Sequence, residues 1–224
     1  MAGLPGFTFN VARYLRRMEQ YLMDLMLERE RIGLLHDRID SCLEDMIRNY
    51  ALAGVDAVFF PEDGGTQQQM LIGPELWRQE FFPRTRRLCR LAHDLGIRVV
   101  MHSCGRIGAI VPGLMEAGVD ELQFDQPELH GVDNLAAYGD KGRITFRCPV
   151  DIQRILPSGN EKLIRSKARE LLDKIWRRHN GGFIAAWYSD EAAIGVDPVW
   201  QEWACDEFLR HGVLQRVAIR SPHM

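Results

Sequence analysis

The sequence lacks both a strong net charge and a long apolar segment. Its 224 residues carry a formal net charge of −3, so no surplus of basic residues points to a nucleic-acid or acidic-membrane partner. No apolar run approaches the roughly 20 residues that a membrane-spanning helix needs. The first residues also lack the basic and apolar regions of a secretory signal. We therefore predict a small-molecule substrate, with no nucleic-acid and no membrane partner.

Cysteine is scarce and shows no pairing pattern. The five cysteines are odd in number and scattered, at Cys42, Cys89, Cys104, Cys148 and Cys205. This distribution excludes a disulfide framework and is typical of reduced thiols, which predicts a cytoplasmic location.

Two further absences concern domain organisation. No Gly-x-Gly-x-x-Gly follows an apolar run, which argues against a dinucleotide-binding fold. No linker or low-complexity segment divides the chain, and a hydrophobic content of 46% suffices for one core. We predict a single domain over residues 1–215 and a flexible tail over residues 216–224.

What the sequence does contain is a repeated order of helical segment, glycine and short apolar run. Residues 53–60 (AGVDAVFF) and 117–124 (AGVDELQF) are near repeats, and similar runs follow glycines near Val99, Ile144 and Phe183. Glycine suits a helix end, and the apolar runs suit strands buried on both faces. The pattern predicts serial βα units around a parallel sheet, with five clear strands.

The first quarter of the chain adds fewer units than a complete barrel requires. Residues 7–10 predict a sixth strand, and residues 13–50 predict a long helical hairpin. A (β/α)8 barrel has eight such units in about 250 residues. The sequence thus predicts about six strands.

Polar side chains follow each predicted strand, where a barrel carries its active site. The most distinctive pair is His102 and Cys104, two residues apart at the end of an apolar run. Side chains at i and i+2 of an extended chain point the same way, and imidazole and thiolate are both zinc ligands. The other candidates at this edge are Glu62, Asp63, Gln67, Asp125, Cys148, Tyr188 and Asp190.

Ordinary structural roles compete with these functional ones. Glu62, Asp63 and Asp125 are also typical of turns and helix caps. Cys148, directly before a proline, is equally typical of a small buried apolar residue.

In their order along the chain, these motifs resemble the uroporphyrinogen decarboxylase superfamily, which includes zinc-containing, corrinoid-dependent methyltransferases. The resemblance rests on residues 53–56, 62–64, 74–77, 82–84, 102–105, 117–120, 124–125 and 181–184. It implies a (β/α)8 TIM barrel. Members are usually longer at the amino terminus, so this chain is expected to lack the first two βα units.

The methyltransferase branch of this superfamily implies a metal site. The resemblance assigns His102 and Cys104 as zinc ligands, whereas the branch's third ligand, a cysteine after the last strand, is missing from residues 185–188. Two outcomes stay open: Cys148, Glu62, Asp63 or Asp125 supplies the third ligand, or zinc is held weakly or not at all.

The leading functional prediction is a zinc-assisted methyltransferase that works with a corrinoid protein. Zinc would bind a substrate thiol or another heteroatom and lower its pKa. The predicted catalytic residues are Glu62, Asp63 and Asp125. The predicted substrate-binding residues are Gln67, Tyr188 and Asp190.

Two alternatives remain. One is a metal-free decarboxylase acting on a carboxylated, porphyrinogen-like substrate, with Asp63, Asp125 and Tyr188 as acid/base groups. The other is a truncated barrel that is inactive or depends on a partner. An open barrel exposes strand edges, which predicts a homo-oligomer or a missing amino-terminal segment. The apolar side chains expected to be partly wetted are Phe59, Val100, Phe146 and Ile184.

Overall fold

Six parallel strands form one sheet in the computed structural model, which describes residues 1–212. The strands are β1 (Ala2–Gly3), β2 (Ala57–Pro61), β3 (Arg98–His102), β4 (Glu121–Gln123), β5 (Thr145–Cys148) and β6 (Phe183–Ala185). The five clear strands predicted from the apolar runs are confirmed. The predicted tail, residues 216–224, lies outside the described residues.

Each strand pairs with the next one along the chain, in the order β1-β2-β3-β4-β5-β6. Parallel crossovers are almost always right-handed, so this sequential order places the connecting helices on one face of the sheet, as in a TIM barrel. The helices are α1 (Thr8–Leu15), α2 (Met18–Leu27), α3 (Arg29–Leu52), α4 (Pro74–Leu76), α5 (Phe82–Asp94), α6 (Val111–Ala117), α7 (Pro127–His130), α8 (Val132–Gly139), α9 (Glu161–Leu171), α10 (Glu191–Ile194) and α11 (Pro198–His211). No helix within residues 1–212 is long and apolar enough to cross a membrane.

The two faces of the sheet differ in burial. Val58 and Phe60 of β2 are fully buried against the helices, whereas Phe59 between them is half-buried on the concave inner face. The alternation follows from the two-residue period of a strand. His102 shares the inner face, because its register partner is Pro61 of β2. Within the sheet, the accessible polar side chains therefore lie on the inner face and at its carboxyl-terminal rim.

The predicted strand at residues 7–10 is wrong, because the chain forms helix α1 from Thr8. Gly6, at a φ of 147°, turns the chain after β1. All four residues from Phe7 to Asn10 are buried, so the run has no alternation that would separate a strand from a buried helix. The predicted helical hairpin over residues 13–50 is confirmed by α2 and α3.

The sheet ends at β1 and β6, which do not pair with each other within the described residues. Of the four apolar side chains expected to be wetted, Phe59 is half-buried and Ile184 is 40% exposed. The expectation is wrong for Val100 and Phe146, which are 4% and 1% exposed. Phe146 lies on the helix-facing side of β5, where it stacks on Phe124 at a centroid distance of 6.2 Å.

Candidate active site

Neighbouring strands bring two polar loops together at the carboxyl-terminal rim. β2 and β3 are paired through Pro61 and His102, and the ladder continues as the Glu62 backbone N–H donates to the His102 carbonyl at 2.8 Å. The residues that follow, Asp63 and Cys104, therefore leave the sheet side by side.

Three ligand-type atoms converge at this point. His102 Nε2 lies 3.3 Å from Cys104 Sγ and 3.5 Å from Asp63 Oδ1. Each of the three residues contributes one donor atom to a group whose atoms all lie within 4.8 Å of one another. Asp63 Oδ1 also accepts the Cys104 backbone N–H at 2.9 Å, which fixes the carboxylate against the thiol loop. We call this group the rim cluster.

Two glycines allow the loops of the rim cluster to touch. Gly105 has a φ of 79°, and a Cβ added there would lie 2.2 Å from the Gly65 carbonyl oxygen. A Cβ at Gly65 would lie 2.6 Å from the Arg106 backbone nitrogen. Any side chain at either position would push the loops apart and separate Asp63 from Cys104.

The donor set and spacing fit a zinc ion. One imidazole, one thiolate and one carboxylate make three protein ligands, the number typical of a catalytic zinc site with one open position. Tetrahedral ligands at zinc distances of about 2.0–2.3 Å lie about 3.3–3.7 Å from each other. The 3.3 and 3.5 Å separations measured from His102 Nε2 match that spacing.

Without a cation, the Cys104 thiol stays protonated. Burial, together with the negative charges of Asp63 and Asp125, raises its pKa to about 12. A coordinating metal reverses this preference and holds the sulfur as a thiolate. The surroundings of Cys104 therefore suit a metal ligand better than a free thiolate nucleophile.

A hydrogen-bonded chain fixes the imidazole of His102. His102 Nδ1 lies 3.0 Å from Gln123 Oε1, and Gln123 Nε2 donates to Asp125 Oδ1 at 2.9 Å. Since the amide oxygen only accepts, Nδ1 carries the ring proton and Nε2 keeps its lone pair toward Cys104 and Asp63. These hydrogen bonds thus select the tautomer with its proton on Nδ1, which leaves Nε2 free to bind a metal.

Gln123 was not predicted from the sequence, although a signal for it exists. It stands two residues before Asp125 at the end of β4, and its register partner on β3 is His102. An i, i+2 relation on an extended segment brings the two side chains to one side.

Arg13 is a second residue that sequence reasoning missed. It reaches the rim from α1, with Nη2 at 3.5 Å from Asp63 Oδ2 and a side chain only 10% exposed. Its charge lies next to the carboxylate oxygen that faces away from His102. No local pattern could indicate this contact, since it joins residues far apart in the chain.

Glu62 lies beside the rim cluster but turns away from it. Its Oε1 and Oε2 lie 3.3 and 3.2 Å from the Asn10 backbone nitrogen, in the first turn of α1. Burial raises the pKa of this carboxyl to about 8. The structure places Glu62 as an acceptor for the helix start and not among the clustered ligand atoms.

Asp125, Tyr188 and Asp190 follow strand ends, and each has its own contacts. Burial raises the pKa of Asp125, whose carboxyl accepts a hydrogen bond from Gln123, the residue that also holds His102. Burial raises the pKa of Tyr188, and the negative charge of Asp125 raises it further. Asp190 caps α10 by accepting the Ala193 N–H at 3.1 Å.

Gln67 and Cys148 lie outside the rim cluster. The exposed Gln67 bonds to Gln126 at 3.3 Å, and Gln126 accepts the Gly105 N–H. Cys148 is fully buried on the face of β5 that packs against the helices, opposite to the face of His102. The strand register therefore keeps Cys148 away from His102 and Cys104, because even and odd positions of β5 face opposite sides.

The fold and the rim cluster together define an α/β protein of the TIM-barrel class with its polar site at the carboxyl ends of the strands. The family profile described as Uroporphyrinogen decarboxylase (URO-D) matches residues 1–187. The chain therefore belongs to the uroporphyrinogen decarboxylase family.

One solved structure is similar over most of the chain. It is described as a methyltransferase from Methanosarcina mazei, with a TM-score of 0.71 and 14% sequence identity over 94% of this chain. The alignment spans 58% of that longer protein, and at this identity it is the fold that is shared. A search of curated proteins finds no match to this chain.

Proposed function

We propose that this chain is a zinc-assisted methyltransferase of the uroporphyrinogen decarboxylase family and that it works with a corrinoid protein. The observation that carries the proposal is the convergence of Asp63 Oδ1, His102 Nε2 and Cys104 Sγ within 4.8 Å at the strand ends. The similar fold of a Methanosarcina mazei protein described as a methyltransferase is consistent with it.

Asp63, His102 and Cys104 would hold the zinc, and Asp63 would supply the third ligand that the sequence left open. Bound there, zinc would act as a Lewis acid that lowers the pKa of a substrate thiol and keeps it ready for methyl transfer. Gln123 holds the His102 ring in the ligating tautomer. Arg13 lies against Asp63 Oδ2 and so favours ligation through Oδ1.

The remaining rim residues would handle the substrate. Asp125, whose pKa is raised by burial, is positioned to exchange a proton with a group above the rim cluster. Tyr188 would contribute its hydroxyl from the loop after β6, where its backbone is held by two hydrogen bonds of 2.9 Å with Gln201. A corrinoid partner would have to approach this rim, where the strands end.

Zinc content tests the proposal directly. Protein prepared anaerobically should contain one zinc per chain, and Co²⁺ substitution should produce an intense thiolate-to-metal absorption band. Cys104→Ser should abolish that band, and Asp63→Asn should weaken metal binding. Wild-type protein that binds no zinc after reconstitution would refute the metal site.

Matched controls separate ligand loss from general damage. Cys42→Ser replaces an exposed thiol on α3, and Asp45→Asn replaces an exposed carboxylate on the same helix. Both variants should bind zinc like the wild type. Methyl transfer from a methylated corrinoid to a small thiol should then follow zinc content across the series.

The metal-free decarboxylase is the second candidate function. The observation in its favour is the buried carboxyl of Asp125 at the rim, because burial raises its pKa and so suits a proton donor. The two candidates differ at Cys104. Decarboxylation of a carboxylated substrate that survives Cys104→Ser would support the second candidate, whereas methyl transfer requires that thiol.

Compartment and assembly complete the proposal. All five cysteines are unpaired, and a zinc–thiolate site needs a reduced Cys104, which fits a cytoplasmic location. Within residues 1–212, the outer edges of β1 and β6 pair with no further strand, which fits a homo-oligomer or completion by a further segment. Sedimentation of the purified chain at several concentrations would measure the assembly.

A further inference from the structure

A separate cavity lies beside the loop that carries Cys104. Its volume is about 810 Å³, within the range of small-molecule sites, and no residue of the rim cluster lines it. Its wall is formed by residues 68–74, which follow β2, and by Arg106, Leu129, His130, Asn134 and Tyr138.

His130 brings an unsatisfied polar atom to this wall. The residue is 7% exposed, and its Nδ1 is buried without a hydrogen-bond partner in the described residues. Buried polar atoms without partners are rare, because each costs about 1–3 kcal/mol. The ring stacks on Phe124 at a centroid distance of 4.0 Å, which fixes its orientation.

The neighbouring glycine keeps the approach to this nitrogen open. A Cβ at Gly108 would lie 3.9 Å from His130 Nδ1 and 3.7 Å from the Tyr138 hydroxyl. Tyr138 donates its hydroxyl hydrogen to the Gly108 carbonyl at 2.9 Å, so its oxygen lone pairs remain available beside Nδ1.

Arg106 supplies the charge of the cavity. It is exposed, and no salt bridge within residues 1–212 involves its guanidinium. Burial and, to a smaller extent, the nearby positive charge of Arg106 lower the pKa of His130 to about 4. Near neutral pH the cavity therefore holds one uncompensated positive charge next to a neutral imidazole.

We propose that this cavity binds a small organic carboxylate, with its carboxylate on Arg106 and His130 and its apolar part against Met70, Leu71 and Leu129. A planar guanidinium matches a carboxylate through two parallel hydrogen bonds. One positive charge calls for a monoanion. His130 Nδ1–H would donate to the same carboxylate and so satisfy its orphaned nitrogen.

Benzoate is a suitable probe because it combines a carboxylate with an apolar ring. The full chain, with isotope-labelled histidine, is titrated with benzoate while the ring signals of His130 are followed by NMR, assigned with His130→Gln. The expected result is a saturable shift of the His130 signals. Benzamide, the neutral counterpart of similar shape, should bind about tenfold more weakly or worse.

Substitution separates the cavity from nonspecific anion binding. Arg106→Gln should weaken benzoate binding about tenfold or more, whereas Arg86→Gln, the same change at an exposed arginine of α5, should leave it unchanged. Unchanged signals of the other histidines without ligand would show that both variants are folded.

Three results would overturn the proposal. They are a shift that does not saturate, equal binding of benzoate by Arg106→Gln and the wild type, and shifts confined to His102. The last result would place the anion at the rim cluster instead.

Discussion

His102 and His36 both lie beside a carboxylate, yet their surroundings are opposite. His36 is fully buried, with Nε2 at 2.8 Å from the Tyr21 hydroxyl and Nδ1 at 2.7 Å from Glu80 Oε1. His102 has one nitrogen held by Gln123, and the other faces two further ligand-type atoms. A histidine with both nitrogens held by fixed partners supports the fold, whereas one with a free lone pair among ligand atoms is available for chemistry.

The buried group around His36 extends into a continuous polar network. Glu80, in a widened helical turn between α4 and α5, also accepts from Arg84, and Arg84 pairs with Asp40 at 2.7 Å. Asp40 is fully buried and also accepts from Thr8 of α1. The network joins α1, α3 and α5. It therefore fixes the position of α1, which carries both Arg13 and the backbone nitrogen beside Glu62.

The largest expected effect is a loss of zinc affinity on substitution of His102. His102→Ala should lower zinc affinity by more than about 100-fold, because outer-sphere changes alone cost about 10–100-fold. The unfolding free energy of the metal-free protein should change by less than about 1 kcal/mol, since the site is partly exposed. Zinc titration and urea denaturation measure the two quantities. Full zinc binding by His102→Ala would remove the contrast with His36.

Asp40→Ala should give the opposite pattern. It removes a fully buried charge that pairs with Arg84 and Arg87. Breaking such a pair typically costs about 3–5 kcal/mol, because the partner charge stays behind without compensation. Urea denaturation should show that loss, while any variant that remains folded should bind zinc normally. A stability change below about 1 kcal/mol would show that the buried network is dispensable.

Gln123→Leu tests the hydrogen bond that orients the His102 ring. The change removes the acceptor for His102 Nδ1–H and should weaken zinc binding about 10–100-fold, as outer-sphere substitutions do. Gln123→Glu retains an acceptor oxygen and should recover most of the affinity. Equal affinities for the two variants would mean that the side chain only fills space.

The smallest effect concerns acid stability. Burial lowers the pKa of His36 below its usual value of 6.5. The unfolded chain therefore takes up this proton first, and stability falls as the pH drops below about 6.5. Between pH 7 and 5, this group should therefore lower the unfolding free energy.

Variants assign that loss to His36. His36→Gln should flatten the pH dependence of the unfolding free energy, whereas Leu34→Gln, at an exposed residue of the same helix that does not titrate, should leave it unchanged. Urea denaturation at pH 7, 6 and 5 makes the measurement. An unaltered slope in His36→Gln would assign the acid sensitivity to other groups.

The strands and the pair formed by His102 and Cys104 could be predicted because their signals are local. Apolar runs after glycine located β2 to β6, and the i, i+2 spacing placed His102 and Cys104 on one side of a strand end. The helix at residues 8–15 could not be predicted in the same way. Its first turn is stabilised by the carboxyl of Glu62, which is distant in the chain.

By itself, the sequence determined the parallel βα order and the rim position of His102 and Cys104, because periodicity and spacing act over a few residues. The tertiary structure decided the rest. Contact between the loops at Gly65 and Gly105 selected Asp63 as the third donor, and strand parity placed Cys148 on the far face of the sheet. These outcomes depend on how distant backbones meet, and no short segment of sequence encodes that geometry.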